Sequence, residues 1–258
     1  MLLCADIGNT NITIGIFDKE KLLLRFEIPT RFTQDRKKLY RALAKSLNKK
    51  PIKKTLKESI ICSVVPRAGK TFKDILLKEF NLNCLEVGKN FKVPIKNCYL
   101  NPAKVGQDRL VNAVAAVKLY GKPAIVIDFG TCVTFDCISQ KGEYLGGLIM
   151  PGIGITLDAL YEKTALLPKI KMYKPHELIG RTTKESIASG LYNGFLGASN
   201  FIIEKTKKKL GKKTLVIATG GNALFFKTAG KFINQLNLDL TLQGLYIIYN
   251  ENQREKQK

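Results

Sequence analysis

The sequence has 258 residues, 45% of them hydrophobic, and a mean hydropathy close to zero, which suits a globular protein with its own core. It has no apolar run near the roughly 20 residues that a membrane-spanning helix needs. Its six cysteines include no Cys-x-x-Cys pair and His176 is the single histidine, so we expect no zinc site. The first apolar segment leads directly into an acidic turn, unlike a secretory leader. We therefore expect a cytoplasmic protein with no membrane partner.

The net charge of +22 comes from 43 lysine and arginine residues against 21 acidic ones. Nucleic acid is one class of partner for such a protein. However, only eight of the basic residues are arginines, and the lysines are spread along the chain without the basic-aromatic motif of an RNA-binding domain. A solvated lysine-rich surface is the better interpretation, so we expect no nucleic-acid partner.

The first predicted element is a hairpin over residues 2–17. An apolar strand leads to a turn that carries Asp6, Gly8, Asn9 and Thr10, and isoleucines then alternate with other residues as in a second strand. Glycine lets backbone N–H groups approach an anion closely, and a carboxylate at a strand end suits a hydrated Mg²⁺ shared with phosphate oxygens. The segment predicts a phosphate-and-metal hairpin. Taken alone, it is equally compatible with an ordinary hairpin turn.

The next segments alternate between helix and strand. Leucines at four-residue spacing predict an amphipathic helix over 33–48, followed by a basic linker at 48–54. A strand at 59–65, a helix at 70–80 and a strand at 83–87 come next. This order is typical of an α/β domain with a mainly parallel sheet.

An irregular segment, 99–109, precedes a helix that stops at Gly121. Asp108 and Arg109 fall in the first turn of that helix, where the N-terminus favours anions. The alternative interpretation is that Asp108 caps the helix and Arg109 faces solvent.

Residues 124–138 repeat the first hairpin. A shift of 122 positions aligns Asp6 with Asp128 and Gly8 with Gly130, together with the apolar strands before both turns. Each copy continues through another turn into a third strand, so the repeat is a half-domain. If each half places a carboxylate and a glycine turn at the same cleft, the two halves would contact a polyphosphate from both sides.

A long helix at 185–210 carries Gly190, Gly194 and Gly197 at helical spacing, despite the cost of about 1 kcal/mol that each interior glycine brings. Close packing within the domain and a subunit interface both remain open as explanations. The other elements predicted in this half are a helix at 156–166 after a glycine-rich connection, a strand at 214–218, a helix opened by 219–222, and a frayed polar tail at 250–258.

The paired hairpins resemble those of the actin, hexokinase and heat-shock-70 ATPase superfamily. That resemblance implies an α/β fold of duplicated actin-like ATPase (ribonuclease H-like) domains, here 1–118 and 119–258, with a nucleotide cleft between them. Four motifs narrow the resemblance to the type III pantothenate kinase family over nearly the whole chain: Asp6-Ile-Gly-Asn-Thr10, Gly106-Gln-Asp-Arg109, Asp128-Phe-Gly-Thr131 and Thr219-Gly-Gly221.

The family resemblance implies transfer of the γ-phosphoryl group of ATP to pantothenate, the first step of coenzyme A synthesis, by a homodimer. It implies Asp108 as the catalytic base, Mg²⁺ held by Asp6 through the phosphates, and a monovalent cation, K⁺ or NH₄⁺, on Asp128. The ATP contacts that it implies are Asp6, Ile7, Gly8, Asn9, Thr10, Asn11, Ile12, Thr13, Thr131, Gly220 and Gly221. The pantothenate contacts that it implies are Tyr99, Gly106, Gln107, Asp108, Arg109 and Thr183.

Two alternative functions stay open from sequence. One is a non-catalytic ATP-binding accessory factor in transcriptional regulation, and the other is a different kinase or phosphatase of the same superfamily. Asp6, Asp108 and Asp128 favour an enzyme, because a binding protein does not require all three. The 106–109 segment favours the pantothenate kinase, since the hairpins alone do not require it. Asn222 is a departure, because we expect an apolar residue after Gly220-Gly221.

Overall fold

The computed structural model describes residues 1–256. Within it the chain forms two compact units, each built around its own five-stranded sheet. Unit 1 contains Met1–Ile95, Leu100–Ala115 and the chain from Asp239 onward, and unit 2 contains Lys96–Tyr99 and Ala116–Leu238. No helix among the described residues is long and apolar enough to cross a bilayer.

The sheet of unit 1 begins with a three-stranded meander and continues with two parallel strands. Its strands are β1 (Leu2–Ile7), β2 (Asn11–Asp18), β3 (Lys21–Pro29), β4 (Glu58–Ser63) and β5 (Asn83–Glu86). The spatial order is β3-β2-β1-β4-β5, with β4 parallel to β1 and β5 parallel to β4. β1 is therefore the central strand, and its residues other than Asp6 are apolar because both faces of the sheet are covered.

The helices of unit 1 follow the predicted alternation. They include α1 (Arg36–Leu47), α2 (Lys50–Thr55), α3 (Pro66–Phe80) and the start of α4 (Gln107–Tyr120). The evenly spaced leucines of α1 are buried, as predicted. The linker prediction for 48–54 was wrong, because most of that segment is α2 and Ile52 is buried in the core.

The C-terminal segment departs from the predicted tail. Residues 240–256 form helix α8 (Leu240–Lys256), so the frayed tail is wrong for the described part of 250–258, and the last two positions of that prediction, 257 and 258, lie outside the described residues. Leu242, Leu245 and Ile248 of α8 join the same buried cluster as β1 and β4. Tyr246 stacks on Phe17 at 4.9 Å between ring centroids. This packing joins the end of the chain to unit 1.

The sheet of unit 2 repeats that arrangement. Its strands are β6 (Ala124–Phe129), β7 (Cys132–Ile138), β8 (Tyr144–Pro151), β9 (Leu215–Thr219) and β10 (Gln235–Leu236), and its helices include α5 (Ile153–Glu162), α6 (Thr183–Leu210) and α7 (Ala223–Phe226). The spatial order reads β8-β7-β6-β9-β10, the same topology as in unit 1. The predicted duplicated α/β fold is therefore confirmed.

The two hairpins differ by one residue in their turns. β1 and β6 align at the predicted shift of 122, but Asp6 lies opposite Thr13 whereas Asp128 lies opposite Thr134, a shift of 121. The turn after β6 is therefore shorter by one residue, although the acid stands at the same place on the central strand of both units.

Candidate active site

Asp6 lies near the end of β1, between Thr13 of β2 and Cys62 of β4. The Cys62 thiol donates a hydrogen bond to Asp6 Oδ1 at 3.1 Å. The pKa of Asp6 is raised to about 7, chiefly by burial and also by the negative charge of Asp108, while the Cys62 hydrogen bond opposes the shift. The charged form of Asp6 is therefore unfavourable unless a nearby cation compensates the charge.

The turn after Asp6 is fixed by Thr30. Its hydroxyl donates to the Gly8 carbonyl at 2.7 Å, and its backbone N–H donates to the Thr10 carbonyl at 2.9 Å. The Gly8 N–H closes the turn on the Asn11 carbonyl at 3.0 Å. Asn9, Thr10 and Asn11 are exposed. The turn is therefore anchored on one side while its polar side chains face outward, as a phosphate-binding turn requires.

Two of the predicted ATP contacts have side chains in the core. Ile7 and Ile12 are fully buried and pair with each other across the hairpin. Neither side chain is accessible to a ligand. The predicted contact Thr13 lies beside Asp6 and is partly exposed.

Asp108 and Arg109 are the second and third residues of α4, as the sequence predicts. The Arg109 N–H donates to Asp108 Oδ1 at 2.9 Å and to the Gly106 carbonyl at 3.1 Å. Burial raises the pKa of Asp108, while the N–H and the charge of Arg109 act against it. Arg109 is buried, with 8% of its surface exposed, so the alternative in which it faces solvent is wrong.

Two glycines shape the loop around these residues. A Cβ on Gly106 would overlap Asp108 Oδ1, so this position admits only glycine while Asp108 keeps its rotamer. Gly88, with φ of +80°, packs against the amide of Gln107, and a Cβ there would lie 2.8 Å from Gln107 Cδ. The 106–109 segment thus packs closely because Gly88 and Gly106 have no side chains.

In unit 2, two glycines enclose Asp128. A Cβ on Gly130 would lie 3.2 Å from Asp128 Oδ1, and one on Gly220 would overlap the same oxygen and lie 2.7 Å from the backbone of Phe129. Gly220 has a φ of +88°, which favours glycine for a second reason. The Asn222 N–H donates to the Phe129 carbonyl at 3.2 Å, so Asn222 contributes its backbone to this arrangement.

The turn residues that follow Gly130 and Gly220 are exposed to solvent. Thr131 is exposed, and Gly221 is exposed with room for a Cβ among the described residues. Gly152, at the start of α5, lies so close to the Thr131 carbonyl that a Cβ would overlap it. The second turn is therefore supported by the N-terminus of α5, whereas the first is supported by Thr30.

Tyr99 belongs to a short segment that pairs with β8 in unit 2. The Cys98 N–H donates to the Tyr144 carbonyl at 2.8 Å, and the Tyr144 N–H donates to the Lys96 carbonyl at 2.9 Å. The Tyr99 ring packs on Gly146, where a Cβ would lie 3.2 Å from the ring. Gly146 has a φ of +111°. Tyr99 is 38% exposed and so remains accessible to a ligand.

Thr183 is the exposed first residue of α6. Thr182 caps the helix by accepting the Glu185 N–H at 3.2 Å, and Glu185 accepts the Thr182 N–H at 3.1 Å. This capping box fixes the start of α6 without using Thr183. The Thr183 side chain is left to contact a ligand or another chain.

The structure thus gathers the predicted residues in two groups. Asp6, the 7–13 segment and 106–109 belong to unit 1, and Tyr99, Asp128, Thr131, Thr183, Gly220 and Gly221 belong to unit 2. Within residues 1–256 no three His, Cys, Asp or Glu side chains form a metal cluster. A divalent ion would therefore need ligands from a phosphate and water as well as from Asp6.

Sequence reasoning missed two residues that support the site, Thr30 and Cys62. Both lie far along the chain from the turn and reach it only through strand pairing. The register of the parallel pair β1–β4 is the signal that identifies Cys62, and no local pattern gives that register.

Two solved structures share this fold across nearly the whole chain. A Campylobacter jejuni protein described as belonging to the Baf family of transcriptional activators superposes with a TM-score of 0.62 at 18% identity, over 98% of this chain and 99% of that one. The activator of 2-hydroxyisocaproyl-CoA dehydratase from Clostridium difficile, with bound ADPNP, gives 0.51 at 11% identity, over 99% and 97%. At such identities the likeness concerns the fold alone.

The sequence comparisons are more specific. The type III pantothenate kinase family model matches residues 2–205. The type III pantothenate kinase of Dehalococcoides mccartyi is 40% identical over 255 residues, which cover 98% of each chain. The family resemblance seen in the four motifs is confirmed by both comparisons. This chain belongs to the type III pantothenate kinase family.

Proposed function

We propose that this protein transfers the γ-phosphoryl group of ATP to the primary hydroxyl of pantothenate in the cytoplasm, producing 4'-phosphopantothenate. Family membership supports the substrate. The observation that carries the chemistry is the half-buried Asp108 beside the buried Arg109 at the start of α4, with Asp6 near enough to be influenced by its charge. An accessory factor that only binds ATP would not need this costly burial of charge.

Asp108 is the proposed base. Phosphoryl transfer asks chiefly for positioning and for neutralisation of charge, together with one group that accepts the hydroxyl proton. The pKa of Asp108 is raised by burial, so the carboxylate is a better proton acceptor than an exposed aspartate. Arg109 is the proposed partner of the pantothenate carboxylate, because its planar guanidinium pairs with such groups. Gly106, Gln107, Tyr99 and Thr183 complete the proposed pantothenate contacts.

Asp6 and the 8–13 segment are proposed to bind the ATP phosphates with Mg²⁺. The residues fit this ligand, because a half-buried acid with a raised pKa lies beside an anchored turn whose polar side chains are exposed. Bound Mg²⁺ would bridge phosphate oxygens and neutralise charge. Thr131, Gly220 and Gly221 are the proposed ATP contacts of unit 2.

Asp128 is the proposed ligand of a monovalent cation, K⁺ or NH₄⁺. Gly130 and Gly220 fit this role, because the absence of side chains brings backbone groups close to Asp128 Oδ1. A carboxylate oxygen surrounded by backbone is a suitable environment for a weakly hydrated cation.

The protein is proposed to act as a homodimer. A Cβ at Gly190, Gly194 or Gly197 would meet nothing within 4 Å among the described residues, so packing within the chain does not explain these glycines. Phe201, four residues beyond Gly197, is 59% exposed. An α6 face of three glycines and an exposed aromatic side chain suits close contact with a second copy.

A coupled assay with pantothenate, ATP, Mg²⁺ and K⁺ tests the function, with the phosphorylated product identified by mass spectrometry. We expect turnover with pantothenate and none with a hexose or acetate as acceptor. Replacing K⁺ by Na⁺ at constant ionic strength should lower the rate. Phosphorylation of another acceptor alone would contradict the proposal, and equal rates in both salts would contradict the cation role of Asp128.

A further inference from the structure

The Cys62 thiol forms a hydrogen bond that joins Asp6 to the neighbouring parallel strand, at 3.1 Å from Oδ1. Cys62 is fully buried. We propose that Cys62 is a positioning residue for Asp6, whose thiol occupies one carboxylate oxygen and thereby orients the other toward the hydrated Mg²⁺ of MgATP. The proposal rests on the proposed function only in taking MgATP as the ligand.

The direction of this hydrogen bond follows from the chemistry of the two groups. The S–H of a thiol donates and a carboxylate oxygen accepts, and the Cys62 sulfur lies 3.1 Å from Asp6 Oδ1. A thiol is a weak donor in water, but a buried bond to a charged acceptor is stronger.

The duplicated fold supplies independent support. In unit 2, Asp128 lies between Thr134 of β7 and Thr219 of β9, so Thr219 occupies the position that Cys62 occupies in unit 1. Thr219 is also buried. A buried position on a strand next to the sheet centre is ordinarily aliphatic. Both units instead place a side chain with a protonated donor next to the acid.

Cys4 provides a matched control for Cys62. It lies on β1 two residues before Asp6, is fully buried, and belongs to the same apolar cluster as Cys62. The pKa of its thiol is raised by burial, without the contribution from Asp6 and Asp108 that Cys62 receives. Replacing either cysteine by alanine removes one sulfur from the same side of the sheet, but only one of the two changes removes a hydrogen bond to Asp6.

The test is direct binding of Mg²⁺ with a non-hydrolysable ATP analogue to the full-length protein, measured by calorimetry without pantothenate. We expect Cys62→Ala to weaken binding by about three- to tenfold, the loss that one buried hydrogen bond produces. Cys62→Ser, which keeps a donor, and Cys4→Ala should bind within about twofold of the original protein. With EDTA in place of Mg²⁺, the analogue should bind all four proteins equally.

Several results would overturn the proposal. These are unchanged Mg²⁺-analogue affinity in Cys62→Ala, an equal loss in Cys4→Ala, or a loss that persists in a Cys62→Ser protein of normal melting temperature. If Cys62→Ala does not fold, Cys62→Val fills the space of the sulfur without a donor, and the same loss of Mg²⁺-dependent affinity is expected. A protein that binds Mg²⁺ and the analogue but does not phosphorylate pantothenate would contradict the proposed function and leave the role of Cys62 standing.

Discussion

At the residue scale, the site is defined by carboxylates placed where their charge is costly. Asp6 and Asp108 both have pKa values raised chiefly by burial, and in each case a donor or cation close by opposes the shift. Glycines pack closely around Asp128. Such acids favour the binding of cations and the acceptance of protons, which are the two tasks of a phosphoryl-transfer site.

Asp108→Asn keeps the size of the side chain and its ability to accept the Arg109 N–H, but it removes the proton acceptor. We expect turnover to fall by about 10² or more with little change in ATP affinity, on the usual scale of acid–base catalysis. Steady-state kinetics and binding of an ATP analogue measure the two effects. Near-normal turnover would exclude Asp108 as the base.

Asp6 makes the stability of the metal-free protein depend on pH. Its pKa rises from the ordinary aspartate value of 3.8 to about 7 in the folded protein, so between these values the folded state holds a proton that the unfolded state has lost. The free energy of unfolding should therefore fall as the pH rises from about 4 to 7. Melting temperatures in EDTA at pH 5 and pH 7.5 test this. The decrease should be smaller in Asp6→Asn, and an equal decrease would contradict the raised pKa.

At the element scale, one edge of the second sheet carries Tyr99, a proposed pantothenate contact that lies outside the strands. The segment 96–99 is held on Tyr144 of β8, and the fully buried Tyr144 side chain donates its hydroxyl to Asp136 at 2.9 Å. Gly146 then provides the surface on which Tyr99 lies. The orientation of an exposed side chain thus depends on a buried hydrogen bond within the sheet.

Gly146→Ala should raise the KM for pantothenate several-fold, on the scale of the roughly 1–2 kcal/mol that a left-handed residue costs, because the new methyl group would also displace the Tyr99 ring. The KM for ATP should stay unchanged. Gly142→Ala is the control, since Gly142 also has a positive φ, +80°, but contacts Lys122. An equal rise in both variants would mean that backbone strain, not Tyr99, is responsible.

At the scale of the whole molecule, one chain supplies two copies of the same sheet, and α6 of the second copy has an open face. Asp108 and Thr183 lie in different units, and Thr183 stands at the exposed start of α6. We expect the proposed homodimer to complete its active sites across the interface.

Gly194→Leu tests the open face of α6. The monomer should tolerate the leucine, because a Cβ at Gly194 has no neighbour within 4 Å in the described chain and leucine favours helix over glycine. The dissociation constant of the variant dimer should be higher, so its specific activity should fall on dilution at concentrations where the original dimer is still intact. Light scattering and an activity dilution series measure both. A fully active monomer would contradict the prediction.

Complementation tests the shared site. Mixed Asp108→Asn and Thr183→Arg subunits should regain activity, because one site of each heterodimer receives an intact copy of both residues. Each variant alone serves as the control. If mixed dimers, verified by differential tags, stay inactive, each site is built within one chain.

The sequence by itself determined most of the strands, the repeated hairpin and the position of Asp108 at a helix start, because each depends on local periodicity or turn chemistry. The tertiary structure alone decided the burial of Arg109, the contact of Cys62 with Asp6 over a separation of 56 residues, and the return of α8 to the first sheet. These depend on strand register and on which apolar faces meet. Both are set by the free energy of packing the whole chain, which short-range patterns do not contain.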